Sequence, residues 1–441
     1  MEALIIAAGK GKRFRECFSP KPLASIYGLS LIERIILTAK EAGITRFKIV
    51  VGYKADQVMR RIGSGDKYGV RIDYILNPEW EKGNGVSVYA ARNAMKGRFL
   101  LLMSDHLFDD RILSRLEDMK PAGDDCILCV DRNLDGSPFN LKDATKALVE
   151  DGKVEKIGKH IPRFNAIDTG IFLCTPAIFQ ALEQSISRKE YALSAGTQIL
   201  ADRGALSVCD VSGLFWIDVD DREALQKAKE ILVQQVLKMT DGPIARTLNR
   251  RISLWISTRL CQFNISPNWM TFLSFILAAV SATFFFAGGY PRILAAGVLA
   301  QVSSILDGCD GEIARLKFLR TRFGEHLDRF LDRYADALII AGLTFASFQA
   351  VGSSWVWLAG ICALTGSFMN SYTALSYDEM IRHRVSSGKA VVRVGRDLRL
   401  FIVFVGAVLN QLWLTLVVLA FLTNIESLRR LLVMRYAFRS S

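Results

Sequence analysis

The sequence predicts a soluble α/β domain fused to an all-α membrane domain of six spans. Three observations predict it. Up to about residue 230 apolar and charged residues alternate as in a globular domain, whereas long apolar stretches dominate after Trp269. Residues 3–7, ALIIA, read as a buried strand that runs straight into the glycine loop AGKGKRF. Beyond the change in composition, apolar segments recur at roughly 269–288, 292–313, 327–351, 354–377, 398–410 and 412–428, the fifth short for a bilayer. Hydrophobic residues make up 51% of the 441, and mean hydropathy is +0.23, high for a soluble protein.

The soluble domain begins without a signal peptide, because the opening apolar run is short and no small-residue cleavage site follows it. A glycine loop after a first strand wraps phosphates with backbone N–H groups, and Lys10, Lys12 and Arg13 add charge. The loop lacks the third glycine of a dinucleotide fingerprint. Followed by PKPL at residues 20–23, the run LIIAAGKGKR resembles the sugar-phosphate nucleotidylyltransferases, and the resemblance covers about residues 1–230. It implies a Rossmann-like nucleotidyltransferase fold with a mixed, mostly parallel sheet. Nucleotide contacts are then expected from Ala8, Gly9, Gly11, Lys21, Gly83, Asn84 and Ser87. The resemblance also makes Asp105 in LLMSDH a metal ligand, with a second from FWIDVDD, where Asp218 and Asp220 both fit and Asp220 is preferred. Arg13 and Lys21 are expected to offset charge on the reacting phosphates.

His106, His160, His326 and His383 are dispersed and receive no catalytic role. Cys126 and Cys129 form the only close cysteine pair, which predicts a reducing compartment and no disulfide framework. Net charge is +12, but much of it flanks the apolar segments, as at Arg246, Arg250 and Arg251 before the first and Arg429, Arg430 and Arg435 after the last. That distribution fits the positive-inside rule rather than a nucleic-acid face.

The membrane domain is led by residues 243–263, where Ile244, Leu248, Ile252, Trp255, Leu260 and Phe263 form one stripe of an interfacial amphipathic helix. Its most informative run is 307–332, DGCDGEIARLKFLRTRFGEHLDRFLD, which places four carboxylates among apolar spans. One carboxylate at the centre of a membrane helix costs about 2.5–3.5 kcal/mol, so four require a partner, and hard oxygen ligands suit Mg²⁺ or Mn²⁺. Asp307 and Asp310 are three apart and Asp328 and Asp332 four apart, so each pair shares a helix face. Asp307, Asp310, Gly311, Ala314, Arg315, Gly324, Asp328 and Asp332 fill every fixed position of the motif D-x2-D-G-x2-A-R-x8-G-x3-D-x3-D, so the run resembles the CDP-alcohol phosphotransferases.

That resemblance implies metal ligation by Asp307, Asp310, Asp328 and Asp332, nucleotide contacts from Gly311, Ala314 and Arg315, and Asp332 as general base. Six spans with the N-terminus inside put the basic loops 316–324 and 378–397 in the cytoplasm, where Lys317, Arg320, Arg322, Arg382, Arg393 and Arg396 are candidates for an acceptor phosphate. The expected boundaries are a soluble domain at 1–230, a linker and juxtamembrane helix at 231–268, a membrane domain at 269–432 and a basic tail at 433–441. Together the halves resemble the family of inositol-1-phosphate cytidylyltransferases fused to di-myo-inositol-phosphate-phosphate synthases. The implied substrates are CTP and inositol 1-phosphate, with CDP-inositol as intermediate. Mg²⁺ or Mn²⁺ is implied at both sites, in a homodimer of the cytoplasmic membrane that binds no nucleic acid. A lipid alcohol as acceptor is the alternative.

Overall fold

The structure, a computed structural model, describes residues 1–11, 20–119, 123–134, 143–237, 244–385 and 394–439, with 375, 378–385 and 436–439 described by backbone alone. The chain divides into two units, Met1–Ile231 and Leu232–Ser441.

In the first unit, EALIIA forms β1 (Glu2–Ala7), whose last five residues are buried. A short hairpin, β2 (Ser25–Ile26) and β3 (Leu29–Ser30), leads into α1 (Leu31–Glu41). Ser30 and Glu33 close a reciprocal capping box that satisfies the first N–H groups of α1. Next come β4 (Arg46–Val51), α2 (Ala55–Ile62), β5 (Arg71–Leu76), α3 (Asn84–Tyr89), β6 (Phe99–Met103), β7 (His106–Phe108) and α4 (Asp110–Asp118). The unit continues through β8 (Cys126–Asp131), β9 (Lys146–Glu150), β10 (Lys153–Gly158), β11 (Ala166–Cys174), α5 (Ala177–Ser187), α6 (Leu193–Asp202), β12 (Leu206–Asp210), β13 (Trp216–Asp218) and α7 (Arg222–Val236).

Nine strands form one sheet in the order β5-β4-β1-β6-β11-β8-β12-β10-β9. The parallel character expected of it holds for β5-β4-β1-β6 and for β12 beside β8. The expectation of a mostly parallel sheet needs correcting on the other side, because β11 enters reversed between β6 and β8, and β9 and β10 add antiparallel pairing. The core lies between this sheet and its helices, with Phe99, Leu101, Leu128 and Phe172 fully enclosed.

The second unit is helical. A π-turn at Ala245–Asn249 leads into α8 (Arg250–Leu260), followed by α9 (Pro267–Ala287), α10 (Tyr290–Leu316), α11 (Arg322–Val351), α12 (Trp355–Val385), α13 (Arg396–Val408) and α14 (Leu412–Arg439). Each of the six apolar segments is therefore helical. Among the described residues α9, α10 and α11 are long and apolar enough to cross a membrane. α13 has 13 residues, fewer than the roughly 20 a bilayer core requires. It ends where Asn410 takes a left-handed conformation, φ 53°, which reverses the chain into α14.

α8 turns a polar face to α10. Glu312 on α10 is fully buried and accepts from Arg250 at 2.8 Å, Ser253 Oγ at 2.6 Å and Ser257 Oγ at 2.7 Å. Gly308 makes room for this contact, since a Cβ there would lie 2.8 Å from the Arg250 guanidinium. The expected apolar stripe is displayed on the other side, with Trp255 59% and Phe263 60% exposed.

Candidate active sites

The first site forms at the carboxyl ends of the central strands, where open α/β sheets bind ligands. β1 delivers the glycine loop and β6 delivers Asp105, with Ser104 N–H bonded to Ile6 O. The short ladder of β13 on β7 sets Asp218 opposite His106, and Val219 N–H donates to Asp105 O. Trp216 anchors β13 by donating to Asp131.

A cavity of about 790 Å³ opens over these ends, lined by Gly9, Gly11, Lys21, Gly83, Asn84 and Ser87 together with the acidic group. Ala8 is an exception: it is buried, with its carbonyl accepting from Tyr53 N–H, and it is not among the lining residues. Gly11 sits at φ +63°, and a Cβ there would come within 2.7 Å of Lys21 Cβ, so glycine lets the lysine lie across the loop. The Asn84 side chain accepts from Leu193 N–H, tying α3 to the start of α6. Arg13 lies outside the described residues.

Lys21 is the hub. Its Nζ lies 2.5 Å from Asp105 Oδ2, 2.6 Å from Asp220 Oδ1 and 3.8 Å from Asp218 Oδ1. Burial disfavours the ammonium, but the three carboxylates outweigh it and raise the Lys21 pKa. Burial likewise works against the Asp105 carboxylate, yet Lys21 and His106 hold its pKa below the usual range. For His106 burial favours the neutral ring; Asp218 and Asp105 override it and push the pKa up to about 10. Asp168 at the cavity wall is raised to about 6 by burial. Sequence reasoning gave His106 no role; it follows Asp105 in the chain, and the pairing of β13 with β7 brings it to Asp218.

The second site is built on helices. Carboxylate oxygens of Asp307 on α10 and of Asp328 and Asp332 on α11 lie within 4.8 Å of one another. Asp310 was expected as a fourth member but lies outside this trio, its Oδ2 accepting from Thr271 Oγ1 on α9 at 2.6 Å. Arg396, at the start of α13, bridges the trio: one terminal nitrogen lies 2.8 Å from Asp307 and 2.7 Å from Asp332. Its Nε lies 3.1 Å from Asp336, which also meets Arg399 at 3.2 Å. Asp336 and Arg399 were missed, although Asp336 repeats the four-residue spacing of Asp328 and Asp332.

Of the other expected residues, Arg315 folds back over Gly311, where a Cβ would lie 2.9 Å from its guanidinium. Ala314 is half-buried on the same helix. Lys317 is committed to Phe263 O at 2.8 Å, and Arg320 and Arg322 are exposed. The Arg382 side chain and all of Arg393 lie outside what is described. Both acidic groups suit a divalent cation by donor chemistry. Asp218 Oδ1 is buried with no hydrogen bond among the described residues and lies 3.8 Å from Lys21 Nζ, while Asp307 Oδ1 is ion-paired with Arg396 at 2.8 Å.

A nucleotidyltransferase-like sheet with cationic and acidic groups over its strand ends, and an acidic trio on two apolar helices, define a two-centre transferase. Residues 3–161 match the MobA-like NTP transferase domain, and residues 264–425 match the CDP-alcohol phosphatidyltransferase family. Similar over nearly the whole length is the bifunctional IPC transferase and DIPP synthase of Rubrobacter xylanophilus, 35% identical over 98% of this chain and 96% of that one. The protein of the same name from Thermococcus kodakarensis is 34% identical over 95% and 94%. The solved inositol-1-phosphate CTP transferase from T. maritima is 26% identical, covering 52% of this chain and 94% of that one, with a TM-score of 0.47. The chain belongs to the family of bifunctional IPC transferases and DIPP synthases, an enzyme with a nucleotidyltransferase domain and a CDP-alcohol phosphotransferase domain.

Proposed function

We propose that the first site makes CDP-inositol from CTP and inositol 1-phosphate, and that the second transfers phosphoinositol to another inositol 1-phosphate. The observation that carries this is one bridged carboxylate cluster in each half of a chain whose relatives span both halves.

In the first reaction a phosphate oxygen of inositol 1-phosphate attacks the α-phosphorus of CTP, and the bond to pyrophosphate breaks. Lys21, held charged by its carboxylates, offsets the negative charge that accumulates on the phosphates, with Arg13 as its expected helper. In the second, an acceptor hydroxyl attacks the β-phosphorus of CDP-inositol, its proton passes to Asp332, and CMP leaves. Arg396 is the acceptor-phosphate candidate that lies in the cluster, and its planar fork suits a phosphate. Mg²⁺ or Mn²⁺ held by Asp105 with Asp218 or Asp220, and by Asp307, Asp328 and Asp332 beside Asp310, would supply Lewis-acid neutralisation of phosphoryl oxygens.

The chain is proposed to cross the cytoplasmic membrane six times, as a homodimer, with both sites in the cytoplasm. The exposed apolar stripe of α8 supports a surface position for that helix. Incubation with CTP and labelled inositol 1-phosphate tests the acceptor. The label should stay in the aqueous phase as a diphosphorylated di-inositol product; label in the organic phase would replace this acceptor with a lipid alcohol.

A further inference from the structure

We infer that His106 is a third protein ligand to the divalent cation of the first site, which makes that site a mixed nitrogen and oxygen site while the membrane site is all oxygen. The inference rests on the nucleotidyl-transfer reading and deepens it. Orientation comes first. His106 Nδ1 lies 2.7 Å from Thr169 O. A carbonyl only accepts, so Nδ1 carries a proton and Nε2 is the nitrogen turned to the acids, where a bound cation would take the place of the second proton that Asp218 and Asp105 favour. Donation of the other ring N–H to a backbone carbonyl is how proteins orient metal-binding histidines. Gly170, at φ +73°, accommodates the ring: a Cβ there would strike it, with Cε1 at 2.5 Å.

The spacing agrees. His106 Nε2 is 3.5 Å from Asp218 Oδ1 and 3.7 Å from Asp105 Oδ1. Those separations are long for hydrogen bonds, but they approach the edge of about 3.4 Å between tetrahedral ligands roughly 2.1 Å from one ion. Lys21 divides the acids. It takes Asp105 Oδ2 and Asp220 Oδ1, which leaves Asp105 Oδ1, Asp218 Oδ1 and His106 Nε2 facing one another. Asp218 Oδ1 is buried without a hydrogen bond, and at 3.8 Å it is the most distant of the three carboxylate oxygens around Lys21 Nζ. This partition assigns the second carboxylate ligand to Asp218 and gives Asp220 the task of holding Lys21. Three protein ligands leave coordination positions for phosphate oxygens, and an imidazole shifts preference from Mg²⁺ toward Mn²⁺, Co²⁺ or Zn²⁺.

The test uses the full-length chain in detergent with Mn²⁺ and pulsed electron paramagnetic resonance. Directly coordinated ¹⁴N should modulate the echo in the wild type and convert to a ¹⁵N pattern when histidine is ¹⁵N-labelled, a readout that needs no substitution. The modulation should vanish in His106→Asn and persist in Asp220→Asn, and His106→Asn should weaken Mn²⁺ binding about tenfold or more. Modulation that survives in His106→Asn would overturn the inference. So would its absence from the wild type when Asp105→Asn removes one bound Mn²⁺. Pyrophosphate release from CTP is scored separately: a wild type that binds Mn²⁺ through nitrogen yet releases none would sink the nucleotidyl-transfer reading and leave the ligand assignment standing.

Discussion

The two clusters solve one electrostatic problem with different scaffolds. In the first unit Lys21 bridges Asp105 and Asp220, partners 84 and 199 residues away in the chain. In the second Arg396 bridges Asp307 and Asp332, while Asp328, Asp332 and Asp336 come from one helix at intervals of four. Lysine brings a compact charge on a flexible stem, which reaches acids from separate segments of the chain. Arginine brings a planar fork that meets several oxygens at once on rigid helices. The difference teaches that a strand-end site is assembled from remote segments, whereas a helix-face site is written into local spacing.

If the scaffolds act independently, substitutions should separate the two reactions. The largest effect is expected from Asp332→Asn, which should lower CMP release about 10²- to 10⁴-fold and leave pyrophosphate release intact. Measuring both products in one incubation checks it. Next is Glu312→Ala, which removes the buried carboxylate that Arg250, Ser253 and Ser257 share and should cost about 3–5 kcal/mol in the second unit. Denaturation read through α8, with the first reaction as control, would expose a coupling between units if both fell together. Lys21→Ala should reduce pyrophosphate release about 10²- to 10³-fold while CMP release from supplied CDP-inositol is unchanged.

The smallest effect concerns stability of the first unit alone. Burial tends to raise the pKa of Glu33, but hydrogen bonds from Ser30 and Tyr68 and the charge of Arg61 lower it below the ordinary 4.5. Its contribution is thus present above about pH 4.5 and is lost as pH falls through the depressed folded value. Glu33→Gln should destabilise the unit near pH 7, with the difference from wild type shrinking in acid, as urea titrations at both pH values would show.

Legibility followed the same division. The strand and glycine loop, the apolar segments that became helices and the Asp307–Asp332 spacing were readable because each depends on neighbours in sequence. Asp310 stands apart from the trio, with its Oδ2 accepting from Thr271 on a different helix. His106 is next to Asp105 in sequence but was given no role, because only the β13–β7 ladder sets it against Asp218 as well. Glu312 has no signal in the sequence, since its burial by Arg250, Ser253 and Ser257 is a property of helix packing. Asp336 was readable from spacing, but its role depends on Arg396 and Arg399, sixty and more residues later.

The central claim is that two separate centres run in sequence in one chain. Mixing an Asp105→Asn chain with an Asp332→Asn chain, supplying CTP and inositol 1-phosphate, and following products by ³¹P NMR tests it most directly. Alone, Asp332→Asn should accumulate CDP-inositol and Asp105→Asn should form none; together they should restore the final product and CMP. Failure of Asp332→Asn to form CDP-inositol, or a mixture that stays inactive while Asp332→Asn accumulates CDP-inositol, would contradict the account.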